Sequence, residues 1–171
     1  FVEQKNQNGT ASAINECIPS IKNFKGNILI LSGDVPLITS KTLKEFINSH
    51  NQHKALASLI STDLDEPKGY GRIIKNNNNQ LINIVEHKDA NKNQLKINEI
   101  NSGIYIMKSK LILEKIPLIN NNNMQKEYYL TDIFNFINEK HTSIFKVNDS
   151  NEIAGINNID QLKKLEKSHT E

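Results

Sequence analysis

Asp34 stands in the segment Leu29-Ile30-Leu31-Ser32-Gly33-Asp34-Val35-Pro36-Leu37, in which an apolar run carries one carboxylate into a tight turn. Open α/β sheets take their ligands at the carboxyl ends of strands, so an acid at that point is placed for chemistry. Gly33 leaves room for a ligand to approach the backbone, and Pro36 stops the strand. A hard cation such as Mg²⁺ is commonly held by one or two protein oxygens, with substrate phosphates completing its shell. Asn157, in Ala154-Gly155-Ile156-Asn157-Asn158, offers a partner oxygen far along the chain. The pair suggests a metal-assisted site for a phosphorylated ligand. Both residues also have plainer uses: Asp34 as a turn cap before Pro36, Asn157 and Asn158 as turn or helix caps.

Three further groups stand where ligands are met. Glu86 ends the stretch Ile84-Val85-Glu86-His87-Lys88, and a carboxylate at a strand mouth can accept hydrogen bonds from sugar hydroxyls. A solvated strand end is the commoner use of such a residue. Asn101, Ser102 and Gly103 open a strand with short polar side chains, which is odd in a buried strand unless a ligand lies close. Gly69-Tyr70-Gly71-Arg72 joins two glycines, an aromatic ring and the chain's one arginine, and reads equally as a turn or as a backbone wall against a ligand. His50, His53, His87, His141 and His169 lack metal-ligand spacing, and no Ser-His-Asp or Cys-His arrangement is present. Cys17 sits on an apolar helical face and reads as core.

These residues need a frame. Thr10 to Ile18 has helical apolar spacing with Thr10 as N-cap and Pro19 as its limit. Asn27 to Ser32 holds the run Ile28 to Leu31, apolar on both faces as in a central strand of a parallel sheet. Ser40 can cap a helix bearing Leu43, Phe46 and Ile47, and Ala55 to Ile60 is the next strand, giving a right-handed crossover. Arg72 to Lys75 and Gln80 to Glu86 form two strands joined by Asn76 to Asn79, a turn tolerant of positive φ. His87 to Asn98 is polar and irregular. A strand over Glu99 to Met107, a helix over Lys110 to Ile116 ended by Pro117, a helix from Thr131 bearing Ile133, Phe134, Phe136 and Ile137, a strand over Ser143 to Val147 and a closing helix over Asp160 to Lys167 complete the pattern. The expectation is one α/β domain, a mostly parallel central sheet flanked by helices, with an inserted antiparallel hairpin.

Composition narrows the classes. At 171 residues and 37% hydrophobic, the chain supports one sizeable core. A net charge of +2, from 21 basic and 19 acidic residues that are scattered, gives no electrostatic footprint for nucleic acid or a membrane surface. No apolar run approaches the ~20 residues that span a bilayer. A single cysteine forms no internal disulfide, and a cytoplasmic setting is the economical expectation.

Seven motifs, in order, carry a resemblance. They are Gly9-Thr10-Ala11-Ser12-Ala13, Gly33-Asp34-Val35-Pro36-Leu37, Asp65-Glu66-Pro67-Lys68-Gly69-Tyr70-Gly71-Arg72, Ile84-Val85-Glu86-His87-Lys88-Asp89-Ala90, Glu99-Ile100-Asn101-Ser102-Gly103-Ile104, Glu127-Tyr128-Tyr129-Leu130-Thr131-Asp132 and Gly155-Ile156-Asn157-Asn158. Across essentially the whole chain this set resembles the uridyltransferase domain of the bacterial bifunctional N-acetylglucosamine-1-phosphate uridyltransferase/glucosamine-1-phosphate acetyltransferases. The resemblance implies a Rossmann-like nucleotidyltransferase fold. It implies the Mg²⁺-dependent reaction of UTP with N-acetylglucosamine 1-phosphate, giving UDP-N-acetylglucosamine and pyrophosphate for peptidoglycan and lipopolysaccharide precursors. By motif, Asp34 and Asn157 would hold Mg²⁺. Gln4, Gly9 and Thr10 would contact the uridine part, and Gly71, Glu86 and Asn101 would bind the sugar, with Tyr129 and Thr131 lining the same pocket.

The resemblance also sets expectations about extent. The family opens with a glycine-rich loop, roughly Gly-x-Gly-Thr-Arg-Met with a Pro-Lys further on, and Phe1 follows the place where it would stand. Residues 1–171 are therefore expected to form part of the uridyltransferase domain and, alone, to have little or no activity. The family's C-terminal acetyltransferase, a β-helix through which the parent protein would form a homotrimer, lies outside the chain. Ser32 stands where a Tyr is often found before Gly-Asp, and Ser12 where a His often follows Gly-Thr, which bears on nucleotide contact. Three rival readings remain: another sugar-nucleotide pyrophosphorylase, such as a thymidylyltransferase, a non-catalytic sugar-nucleotide-binding domain, and a merely structural α/β domain, against which the ordered motifs weigh.

Overall fold

In the computed structural model, residues 1–153 and 155 are described. The chain runs α1 (Thr10–Ile21), β1 (Asn27–Ile30), α2 (Ser40–His53), β2 (Ala57–Asp63), β3 (Arg72–Lys75), β4 (Leu81–Val85), β5 (Glu99–Lys108), α3 (Ser109–Lys115) and β6 (Thr142–Lys146), with short 3-10 segments between. The strands form one sheet in the order β4-β3-β5-β2-β6, and β1 also pairs with β5. The expected closing helix lies outside the described residues.

The α/β class and the inserted hairpin stand as expected, and the strand pairing is more mixed than a mostly parallel sheet. β1, β2, β3 and β6 share one direction, but β5 runs against them between β1 or β3 on one side and β2 on the other. Only β2–β6 is a parallel pairing among the described residues. The reason is the β3–β4 hairpin, which turns at Asn76–Asn79 with Asn79 at φ +62° and delivers the chain back reversed. β1 and β2 are joined through α2 across β5, so the crossover places the reversed strand between two that run alike.

Alternation along the strands builds two cores, one on each face of the sheet. Leu59, Tyr105 and Met107 point to the face covered by α1, α3 and the segment around Ile133 and Phe134. Ile60, Ile104 and Ile106 point to the other, against Phe46 of α2, Val35 and Ile153. β1 departs from a fully covered central strand. Ile28 and Ile30 pack on the first core, while Leu29 and Leu31 remain 37% and 49% exposed.

Three boundaries differ from the sequence pattern for local reasons. α1 continues past Pro19 to Ile21, because the proline removes one ladder bond near the helix end while Ile18 and Ile21 pack on the core. Thr39, not Ser40, caps α2, accepting the Thr42 N–H at 3.1 Å. The helix expected from Thr131 is instead a 3-10 segment, Leu130–Phe136. Its start is tied sideways: the Leu130 N–H donates to the Thr10 hydroxyl at 2.9 Å and the Thr131 hydroxyl to Glu86. Leu130 and Ile133, three residues apart, are both buried, which the tighter 3-10 pitch satisfies as well as an α-helix would.

Candidate functional site

At the carboxyl end of β1 the sheet opens into a cleft of about 510 Å³. Its lining includes Thr10, Asp34, Gly71, Glu86, Asn101 and Thr131, so six of the ten expected site residues meet in one cavity. Gln4 and Gly9 stand behind Thr10: the Gln4 side-chain amide donates to the Gly9 carbonyl at 3.1 Å, and neither lines the cleft. Tyr129 is buried outside the lining, its hydroxyl donating to Asp89 Oδ2 at 3.1 Å. Asn157 lies outside the described residues, although Gly155, two positions before it, lines the cleft.

β5 shapes the floor. Leu59 faces Tyr105 while Ser61 faces Asn101, so four steps on β5 match two on β2. The excess falls at Ser102 and Gly103, and an excess of two leaves the inside-outside alternation intact. Gly103 takes φ +78°, and a methyl built there would lie 3.0 Å from Ser32 Oγ. Ser102 donates to the Ile60 carbonyl at 2.8 Å, which satisfies its hydroxyl within the bulge. Asn101 is fixed twice, its backbone N–H on the Gly71 carbonyl at 2.9 Å and its amide on the Tyr105 hydroxyl at 2.6 Å.

Glycine lets the facing wall pack closely. A methyl on Gly71 would stand 3.2 and 3.3 Å from the two Glu86 carboxylate oxygens and 3.1 Å from Ile84. Arg72 explains why the lone arginine follows it. Its guanidinium is buried and donates to the Tyr70 carbonyl and, at 3.4 Å, to His87 Nδ1. Tyr70 in turn accepts the Gly155 N–H on its hydroxyl at 3.0 Å. Arg72 is thus a support for the wall, not a group presented to a ligand.

Glu86 accepts from the Thr131 hydroxyl at 2.9 Å through Oε1. Burial pushes its pKa above the usual carboxylate value; the Thr131 bond opposes this, and the negative charges of Asp132, Asp89 and Glu127 add to the rise. A carboxylate so placed takes a hydroxyl donor readily, because a hydrogen bond relieves its desolvation. The sign for stability follows. Folding raises the pKa, so the stabilising share is present below the ordinary carboxylate pKa and is lost as pH rises through the raised value. Glu86→Gln should therefore raise the melting temperature at pH 8 by a few degrees, and the gain should vanish toward pH 4. Lower melting temperatures for the variant at pH 8 would overturn this.

Asp34 is exposed in the cleft and accepts no hydrogen bond among the described residues, so the turn-cap use finds no bond to support it. Its carboxylate is a hard oxygen donor with open lone pairs, which suits a divalent cation. No cluster of three or more His, Cys, Asp or Glu side chains is arrayed for a metal among the described residues. Sequence reasoning passed over Lys68 and Tyr105 as lining residues. Lys68 carried no signal beyond being a charge in a polar loop, and Tyr105 looked like ordinary core.

No helix among the described residues is long and apolar enough to cross a membrane. The profile of the nucleotidyl transferase family matches residues 1–152. Among curated proteins, the bifunctional protein GlmU of Rippkaea orientalis is 42% identical over 162 residues, covering 95% of this chain and 35% of that protein. GlmU of Streptococcus uberis is 40% identical over 159 residues, covering 92% of this chain and 35% of the relative. The chain thus spans about a third of the length of these relatives. Among solved structures, a putative glucose-1-phosphate thymidylyltransferase from Bacillus anthracis superposes with a TM-score of 0.69 at 17% identity, over 96% of this chain and 62% of that one. A UDP-glucose pyrophosphorylase complexed with UDP-glucose gives 0.61 at 18% identity, over 80% and 52%. At such identities the two structures speak for the fold alone.

Proposed function

This chain belongs to the nucleotidyl transferase family, and on that premise we propose that its cleft serves the joining of UTP to N-acetylglucosamine 1-phosphate, releasing pyrophosphate and forming UDP-N-acetylglucosamine. The observation that carries the reading is the convergence of Asp34, Gly71, Glu86, Asn101 and Thr131 on one cleft at a strand's carboxyl end. The roughly 40% identity to GlmU proteins supports the choice of nucleotide and sugar. The product would feed cell-wall precursor synthesis in the cytoplasm, within a longer protein that assembles as a trimer.

The chemistry suits a site with so few ionisable groups. A sugar phosphate is already an anionic nucleophile, so no general base is needed to activate it. The protein's share is to align that oxygen with the α-phosphorus of the nucleotide, opposite the departing pyrophosphate. Glu86, with Oε2 open, accepts a sugar hydroxyl, while the closely packed Gly71 backbone and Asn101 fix the ring against the wall. Thr131 orients the Glu86 carboxylate from behind. Thr10, with Gly9 and Gln4 shaping its turn, meets the uridine part, and Tyr129 supports the sugar side through Asp89. Asp34, with Asn157, would hold Mg²⁺. Bound there, the ion supplies Lewis-acid neutralisation of phosphate charge.

The test is pyrophosphate release by the full-length protein, with UTP or dTTP against N-acetylglucosamine 1-phosphate or glucose 1-phosphate, with and without Mg²⁺. Release confined to UTP, the N-acetylated sugar and Mg²⁺ is expected. Release with dTTP and glucose 1-phosphate would move the assignment to a thymidylyltransferase. Silence from folded protein with every pair would favour a binding domain without chemistry.

A further inference from the structure

The cleft carries an electrostatic imbalance. It is lined by two carboxylates, Asp34 and Glu86, and by a single cationic side chain among the described residues, Lys68. Arg72 does not offset them, since its guanidinium is buried beneath the wall and turned toward Tyr70 and His87. With Asp34 given to the divalent cation proposed above, Lys68 is the one cationic side chain among the described lining residues that can meet a phosphate directly.

Lys68 is built to stand at the cleft's edge. Pro67, Lys68, Gly69 and Tyr70 form a turn closed by the Tyr70 N–H on the Pro67 carbonyl at 3.2 Å, with Gly69 at φ +92°. A positive φ at the third position is the mark of a type II turn and puts Lys68 at its apex. The base of that turn is anchored, by Arg72 on the Tyr70 carbonyl and by the Gly155 N–H on the Tyr70 hydroxyl. The apex is open: a methyl built on Gly69 meets nothing within 4 Å. Lys68 itself is exposed and has no ion-pair partner among the described residues. A long, unpaired ammonium on an exposed turn is suited to follow a phosphate whose position shifts during transfer.

We propose that Lys68 is a phosphate-binding residue that contacts the phosphate of the bound sugar phosphate and, after transfer, the diphosphate of the product. This rests on the nucleotidyltransferase reading above and deepens it. Lys68 lines the same cleft as Asp34, Gly71 and Glu86, so a sugar phosphate held at Gly71 and Glu86 carries its anionic end into a cavity that Lys68 borders.

The experiment is calorimetric titration of the full-length protein and its Lys68→Gln and Lys68→Arg variants with UDP-N-acetylglucosamine at two salt concentrations, with uridine as the neutral reference. Lys68→Gln should weaken UDP-N-acetylglucosamine binding about tenfold and flatten its salt dependence, leaving uridine affinity unchanged. Lys68→Arg should restore most of the affinity. Because the side chain is exposed, the melting temperature should not move, which separates lost contact from lost fold. Unchanged affinity and salt dependence in Lys68→Gln, or equal losses for uridine, would overturn the role of Lys68 while leaving the reaction intact. Wild-type protein that ignores UDP-N-acetylglucosamine but binds dTDP-glucose, with the same loss in Lys68→Gln, would overturn the uridyltransferase reading and uphold Lys68.

Discussion

Asp34→Ala in the full-length protein should lower kcat/KM for pyrophosphate release by about 10²–10³-fold while leaving the melting temperature within about 2 °C of wild type. The two halves of that expectation have separate causes. The carboxylate is exposed and accepts no hydrogen bond among the described residues, so the folded state loses almost nothing with it. It is also the one described carboxylate in the cleft with no internal partner, and in the proposed reaction it would hold the cation that neutralises phosphate charge as pyrophosphate departs. Asp34→Asn keeps the shape and a carbonyl oxygen but loses the charge, and should fall between wild type and Asp34→Ala. Raising Mg²⁺ should recover part of the Asp34→Asn loss and little of the Asp34→Ala loss. Parallel losses of activity and stability in both variants would return Asp34 to the role of a turn residue.

Gly9→Ala should act in the opposite sense, on the fold before the chemistry. Gly9 sits at φ 109° and ψ 173°, a region that only glycine occupies comfortably. A methyl there would fall 2.6 Å from the Tyr128 carbonyl oxygen and 2.8 Å from its nitrogen, both backbone atoms. Neither can move without disturbing the hydrogen bonds that Tyr128 makes with Asn8 and Ala11 at 2.7 and 2.8 Å. The expected cost is about 3 kcal/mol, seen as a drop of roughly 5–12 °C in melting temperature. Thr10 would shift with it, and the Leu130 N–H that rests on the Thr10 hydroxyl would lose its partner. Nucleotide affinity should therefore fall in whatever fraction stays folded. A variant with wild-type melting and affinity would mean that the junction yields more easily than its backbone contacts imply.

How far the sequence could be read depended on whether a signal was local. Gly71 and Gly103 stand where side chains pass close by, Ile84 and Glu86 at the first and Ser32 at the second, so the wall and the floor were legible, whereas a methyl on Gly33 would meet nothing within 4 Å. Glu86 was legible because a carboxylate ends an apolar run. The hairpin was legible because four asparagines admit the positive φ that Asn79 takes. The antiparallel setting of β5 was not, because strand direction depends on partners far away in the chain and leaves no trace in the residues themselves. The same limit hid the two-residue excess at Ser102 and Gly103, which exists only relative to β2. The segment from Thr131 misled for a different reason. Buried residues three apart suit an α-helix and a 3-10 helix alike, and what decided between them was a hydroxyl on α1 more than a hundred residues earlier. Gln4 and Tyr129 carried the right residue types, yet their polar groups are taken up by Gly9 and Asp89, so they reach the cleft only through neighbours.

β5 joins β1, β2 and β3 and also carries Asn101. A strand held on both sides is the last to open, so its amide hydrogens exchange with solvent only when the whole domain unfolds. The Asn101 N–H, bonded to the Gly71 carbonyl, belongs to that slowest set even though it borders the cleft. The Asn101 floor therefore has no softer state of its own to visit. On the function proposed above, ligand entry and release would fall to the rim, where the Pro67–Tyr70 turn is tied down by only a few bonds. Amide exchange should separate these two layers of one cavity, with slow floor and fast rim, and ligand should slow the rim alone.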